Sequence, residues 1–117
     1  MDIDDLRDYC LGKPFTSEGF PFDTDTLVFK VAEKIFALVS LDSQPLSINL
    51  KCDPELALEL REEYPAIMPG YHMNKKHWNT LVLDGSIPRI KVLELIDHSY
   101  NLIFESLPAK TRALLKE

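Results

Sequence analysis

An α+β fold, a mostly antiparallel sheet covered by helices, is predicted by three observations. Residues 46–52 alternate strictly, with Leu46, Ile48, Leu50 and Cys52 on one side and Ser47, Asn49 and Lys51 on the other, as in a strand with one covered face. The apolar runs between residues 27 and 52 are separated only by tight turns, which suits antiparallel hairpins. Apolar residues at spacings of three and four recur near both ends of the chain, so helices lie on either side of the strand-rich part. The expected order is α-β-β-β-α-β-β-α with a short C-terminal helix, in a single domain over residues 1–117.

The first helix is expected over residues 2–12, with Ile3, Leu6 and Cys10 as its apolar stripe, aspartates at its positive end and Gly12 as its stop. Residues 13–25 read as an irregular crossing, with Phe15, Phe20 and Phe22 as its anchors to the core. Leu27, Phe29 and Val31 share one face of the first strand. In the second, Ile35, Ala37, Val39 and Leu41 alternate with Phe36, Leu38 and Ser40, and Glu33-Lys34 fits the tight turn between them. After the turn at 42–45 comes the strand at 46–52. Asp53-Pro54 then starts a helix, because the aspartate can accept an unpaired amide hydrogen bond and proline tolerates the first helical position.

Pro65, Pro69 and Gly70 break up residues 64–71. A strand is expected at 77–83, paired with a short extended stretch at 66–68 or 71–73 and closed by Asp84-Gly85. Ile87-Pro88 opens a long helix to about Ser106, with Leu93, Ile96, Tyr100, Ile103 and Leu107 on its inner side, and a last short helix follows Pro108.

Composition narrows the function classes. The chain has 117 residues, 45% hydrophobic and 27% charged, with a net charge of -6, a balance that opposes generic, charge-driven binding to a polyanion. The charge is uneven. Residues 1–29 hold seven acids and two bases, whereas Lys75, Lys76, Arg89 and Lys91 face only Asp84 in residues 71–91. Cys10 and Cys52 read as small buried hydrophobes. The acidic start does not resemble a targeting segment, and no apolar run approaches the ~18 residues that suggest a membrane helix. A cytoplasmic protein without membrane contact, monomeric or weakly dimeric, is the expectation.

Motifs for catalysis are sparse. The glycines are isolated, and there is no paired CxxC and no HExxH. His72 and His77 flank two lysines that oppose a bound cation, so no metal or other cofactor is expected. Asp97, His98 and Ser99 diverge by about 100 degrees each on a helix and cannot form a relay. An enzyme would have to use a pocket around His72, His77, Asp97 and Tyr100.

The informative stretch is Met68-Pro69-Gly70-Tyr71-His72-Met73-Asn74-Lys75-Lys76-His77-Trp78-Asn79-Thr80, which gathers basic groups with the only tryptophan. Such groups suit phosphate and sugar contacts or base stacking, and they equally suit a packed tryptophan beside solvated lysines. If packed, Trp78 should be mostly buried or wedged between the sheet edge and the final helices.

The same segment, with Leu83-Asp84-Gly85-Ser86-Ile87-Pro88, Ile96-Asp97-His98-Ser99-Tyr100, Leu107-Pro108 and Arg112, resembles the MmcQ/YjbR family over nearly the whole chain. That resemblance implies a compact fold like CyaY or the type III secretion chaperones. It also implies DNA binding through a double wing of hairpins, here around residues 32–34 and 71–77. Lys34, Lys75 and Lys76 would then lie on one accessible face, with His72, Asn74 and His77 beside them. A protein-interaction or adaptor role is the alternative, favoured by the acidic first third and by open sheet edges.

Overall fold

The computed structural model describes residues 1–71 and 73–115. Among them are four helices and six strands: α1 (Ile3–Leu11), β1 (Thr16–Gly19), β2 (Thr26–Val31), β3 (Lys34–Ser40), β4 (Ser47–Lys51), α2 (Pro54–Glu63), β5 (Ile67–Pro69), β6 (Trp78–Val82), α3 (Arg89–Ser106) and α4 (Ala109–Leu115). The strands form one sheet in the order β1-β2-β3-β4-β6-β5, with every neighbouring pair antiparallel. The α+β class and the largely antiparallel sheet are as expected.

Local chemistry explains the helix boundaries. Asp2 and Asp5 cap α1 reciprocally, each side chain accepting the other's backbone N–H at 2.9 and 3.2 Å. The Asp53 carboxylate accepts the Leu56 N–H at 3.2 Å, and Pro54 occupies the first turn of α2. Gly85 follows β6 with φ of 91°, a conformation that costs glycine nothing.

One face of the sheet carries the helices. Leu27, Phe29 and Val31 from β2, Ala37 and Val39 from β3, Ile48 and Leu50 from β4, Leu81 from β6 and Ile67 from β5 are all buried there. They pack against Leu6 and Cys10 of α1 and Val92, Leu95, Ile96 and Ile103 of α3.

Four expectations are corrected. An extra strand, β1, runs antiparallel to β2 at the sheet edge, where the sequence predicts an irregular crossing. Phe15, Phe20 and Phe22 do not anchor to the core: they are 48%, 51% and 65% exposed. The turn between β2 and β3 is Ala32-Glu33, not Glu33-Lys34, with Val31 paired to Lys34. Both turn residues have positive φ, 45° and 72°, the hand that joins two twisted strands most tightly. Finally, a bulge interrupts the β2–β3 register. Phe29 pairs with Ala37 and Lys30 with Ile35, so Phe36 is the extra residue and joins Ala37 and Val39 in the core.

Ser99 answers the backbone disturbance at that bulge. Its hydroxyl donates to the Phe36 carbonyl at 2.6 Å and accepts the Lys51 N–H at 2.9 Å, and the side chain is fully buried. Replacing Ser99 with alanine strands a carbonyl and an amide inside the protein. The expected loss is about 1–3 kcal/mol of unfolding free energy in urea titrations; an unchanged midpoint would contradict this fastening role.

Cys10 and Cys52 are free and buried, and burial pushes their thiols up to about 12 and about 11. Since the thiolate is the reactive form, both should resist a thiol reagent at pH 8 and be labelled only as fast as the protein opens. Immediate labelling under native conditions would refute it.

Candidate functional site

The antiparallel register decides which loops are neighbours. β2 ends and β3 begins at the same end of the sheet where β4 ends at Lys51, β6 begins at Trp78 and β5 ends at Pro69. Lys34 and the loop holding Lys75 and Lys76 therefore lie at one end, separated by two strand spacings, or about 10 Å across the sheet. Lys34, Lys75, Lys76 and Asn74 are exposed, and His77 is half-buried. His72 lies outside the described residues. Lys51 and Lys30, both half-buried, stand on β4 and β2 near the same end. Glu33 and Asp53 are acids interspersed among these bases.

The opposite end is acidic. Asp2, Asp4 and Asp5 begin α1, Asp23 and Asp25 precede β2, Asp42 follows β3 and Asp84 follows β6. Arg89 and Lys91 are the bases beside them, with Arg89 3.5 Å from Asp5. Within a net charge of -6, lysines thus gather at one end of the sheet and aspartates at the other.

Several hydrogen bonds tie the described residues between Gly70 and His77. Gly70 donates to the Trp78 carbonyl at 2.8 Å, and a Cβ at Gly70 would stand only 2.8 Å from that of Trp78, so only glycine permits this approach. The Tyr71 N–H donates to the Thr80 hydroxyl at 3.0 Å. Asn74 organises the bend: its side chain accepts the Lys76 N–H at 2.9 Å and its carbonyl accepts from His77 and Trp78. The Lys75 ammonium rests on the Gly70 carbonyl at 3.1 Å, which leaves further donors for an outside acceptor. From α2, the Arg61 guanidinium donates to the Lys75 and Trp78 carbonyls and, at 2.7 Å, to Asn79 Oδ1.

Trp78 is not wedged against the final helices. It stands half-buried on the sheet face turned away from them, in register with Lys51 and over Gly70. Strand parity explains the difference, because Asn79 and Leu81 take the covered face.

Among the described residues considered for an enzyme, Asp97 and Tyr100 have partners on and just after α1, whereas His77 is tied to the end of β4. Asp97 accepts hydrogen bonds from the Tyr9 hydroxyl, at 2.8 Å, and from the Lys13 ammonium. That ammonium lies 5.0 Å from the Tyr9 ring and 5.1 Å from the Tyr100 ring, and the Tyr100 hydroxyl donates to the Pro14 carbonyl at 2.7 Å. Burial, and then the Asp97 bond, push the Tyr9 hydroxyl up to about 12, so it stays a donor. Asp97 and Tyr100 thus hold α3 to α1, which packs at the β1 side. His77, tied through its carbonyl to the Cys52 N–H at 2.8 Å, enters β6 beyond β4. His98 accepts the Asp53 N–H at 3.1 Å, a structural role.

The YjbR family model matches residues 11–102, most of the chain. The chain belongs to the YjbR family. It is 36% identical over 115 residues to the uncharacterized protein YjbR of Escherichia coli K12, covering 98% of each. It is 43% identical over 95 residues to the uncharacterized protein YbdF of Escherichia coli O157:H7, covering 80% of this chain and 77% of that one. The crystal structure of Deinococcus radiodurans protein DR2400, with a domain named DUF419, superposes with a TM-score of 0.94 at 43% identity, covering 97% of this chain and 87% of that one. A Pseudomonas syringae protein's crystal structure gives 0.75 at 32% identity, covering 87% and 98%. These likenesses bear out the family resemblance and the fold.

Sequence reasoning missed Lys30, Lys51 and Arg61. Lys51 carries a faint signal, an outward position at the end of the best-patterned strand. Arg61 carries none beyond its place in the last turn of α2. Replacing Arg61 with alanine removes the brace of this YjbR-family loop. Amide exchange at residues 75–78 should accelerate, with a stability loss of about 1–3 kcal/mol; unaltered protection there would show that the loop stands without it.

Proposed function

We propose that this YjbR-family chain is a non-catalytic nucleic-acid-binding module that docks through its lysine-bearing end. The observation that carries the reading is the sheet register, which gathers Lys34, Lys75 and Lys76 at one end while the aspartates collect at the other. Lys34, Lys75 and Lys76 meet phosphates. Asn74 and His77, with His72 of the same loop, position the backbone or touch a groove. Screening within about 10 Å at 0.1 M salt lets such a local face work despite a repulsive net charge.

The protein acts as a cytoplasmic monomer or weak dimer in this reading. Its edge strands suit that state, being only four and three residues long, with β5 ending in a proline. No helix among the described residues is long and apolar enough to cross a membrane. A second reading, a protein-interaction module, is favoured by the exposed Leu11, Phe15 and Phe20 in the acidic first third.

Fluorescence anisotropy with single- and double-stranded DNA, from low to physiological salt, separates the two. Binding should weaken steeply with salt, and the Lys75→Ala/Lys76→Ala double variant should lower the logarithmic salt slope by about two. No binding at low salt, or equal binding by the folded variant, rejects this face and leaves the interaction reading ahead.

A further inference from the structure

The sheet face turned away from the helices is not flat. Val28, Leu38, Asn49 and Thr80 stand side by side across β2, β3, β4 and β6 and are 1%, 6%, 8% and 6% exposed, although no helix covers them. Phe22 and Asp23 border this row from one side and Tyr71 and Met73 from the other. Between them opens a cavity of about 410 Å3, lined by Leu38, Asn49, Phe22 and Tyr71 among others. That volume is within the range of small-molecule sites.

Its chemistry is one-sided. Among the described residues, two carboxylates line it, Asp23 and Asp42, and no lysine or arginine does. Asp23 is held ionised: its Oδ1 accepts the N–H groups of Asp25 and Thr26 at 2.9 and 2.7 Å, and these bonds pull its carboxyl below the usual range. Phe22 and Tyr71 are 65% and 68% exposed at the rim, aromatic rings of the kind that attract cations.

The floor supplies one directed donor. The Thr80 hydroxyl accepts the Tyr71 N–H and donates to Asn49 Oδ1, an arrangement with the Asn49 amide nitrogen turned away from Thr80. Among the described residues that nitrogen has no partner, and Asn49 lines the cavity.

We propose that this cavity binds a small organic cation, an alkylated ammonium whose body also carries a carbonyl or hydroxyl oxygen. The carboxylates balance its charge, the Phe22 and Tyr71 rings pack against its methyl groups, and Asn49 Nδ2 donates to its oxygen. The same carboxylates repel a phosphate, so the cleft is a site separate from the lysine-bearing end and independent of the nucleic-acid reading.

Acetylcholine serves as a probe with both groups, and dimethylbutyl acetate as its uncharged isostere. In an NMR titration, acetylcholine should give saturable shifts centred on the Asn49 side-chain amide and residues 22–26, and the isostere at equal concentration should not. The exposed Phe22→Ala and Asp42→Asn variants, checked for folding by their spectra, should each weaken binding roughly two- to fivefold. The Lys34→Ala/Lys76→Ala variant, which keeps the Lys75 contact with Gly70, should bind acetylcholine as the wild type does, so failure here is distinguishable from failure of the DNA reading. Absence of saturation at tens of millimolar, equal binding of the isostere, or unaffected binding in both cleft variants would overturn the proposal.

Discussion

A buried hydroxyl joins the two layers where β2 and β3 depart from regular pairing. Phe36 is an extra residue in β3, and a bulge leaves backbone groups that its neighbours do not satisfy. Ser99 takes up the Phe36 carbonyl and the Lys51 amide together, so α3 is attached to β3 and β4 at once. Ser99 thus holds Lys51, the last residue of β4, and one residue earlier on α3 His98 holds the Asp53 N–H at the entry into α2. From α2 Arg61 reaches back to the loop before β6. The lysine-bearing end is therefore set by contacts made on the other side of the sheet.

Much of the fold was legible where burial and periodicity coincide. Ile48 and Leu50 lie on a strand whose alternation has no interruption, and Asp53-Pro54 is a local capping motif that needs no tertiary context. β1 was not legible, because Thr16-Ser17-Glu18-Gly19 contains no large apolar residue and becomes a strand only by pairing with β2. Phe36 was misplaced because a bulge adds one residue without leaving a break in the pattern. Phe20 and Phe22 were misplaced because hydrophobicity predicts a preference for burial and says nothing of where a loop runs.

The candidate surface divides the same way. Lys75, Lys76 and Asn74 are adjacent in sequence and stand out as a motif. Their proximity to Lys34 depends on strand order, which no local pattern encodes. Asn49 illustrates the limit most clearly: it reads as an ordinary outward residue of a strand. Its place in the cavity, and the direction of its amide, emerge only from Thr80 and Tyr71, thirty-one and twenty-two residues further along the chain.

Lysines and aspartates collect at opposite ends of the sheet, so the charge of a body about 40 Å in its longest dimension is unevenly spread. In the field of any charged partner an uneven charge feels a torque as well as a net force, so rotation precedes contact. In the proposed nucleic-acid reading, a negatively charged surface meets the end where β3 begins. Because the strands carry the aspartates to the other end, that contact leaves the start of α1 facing solvent.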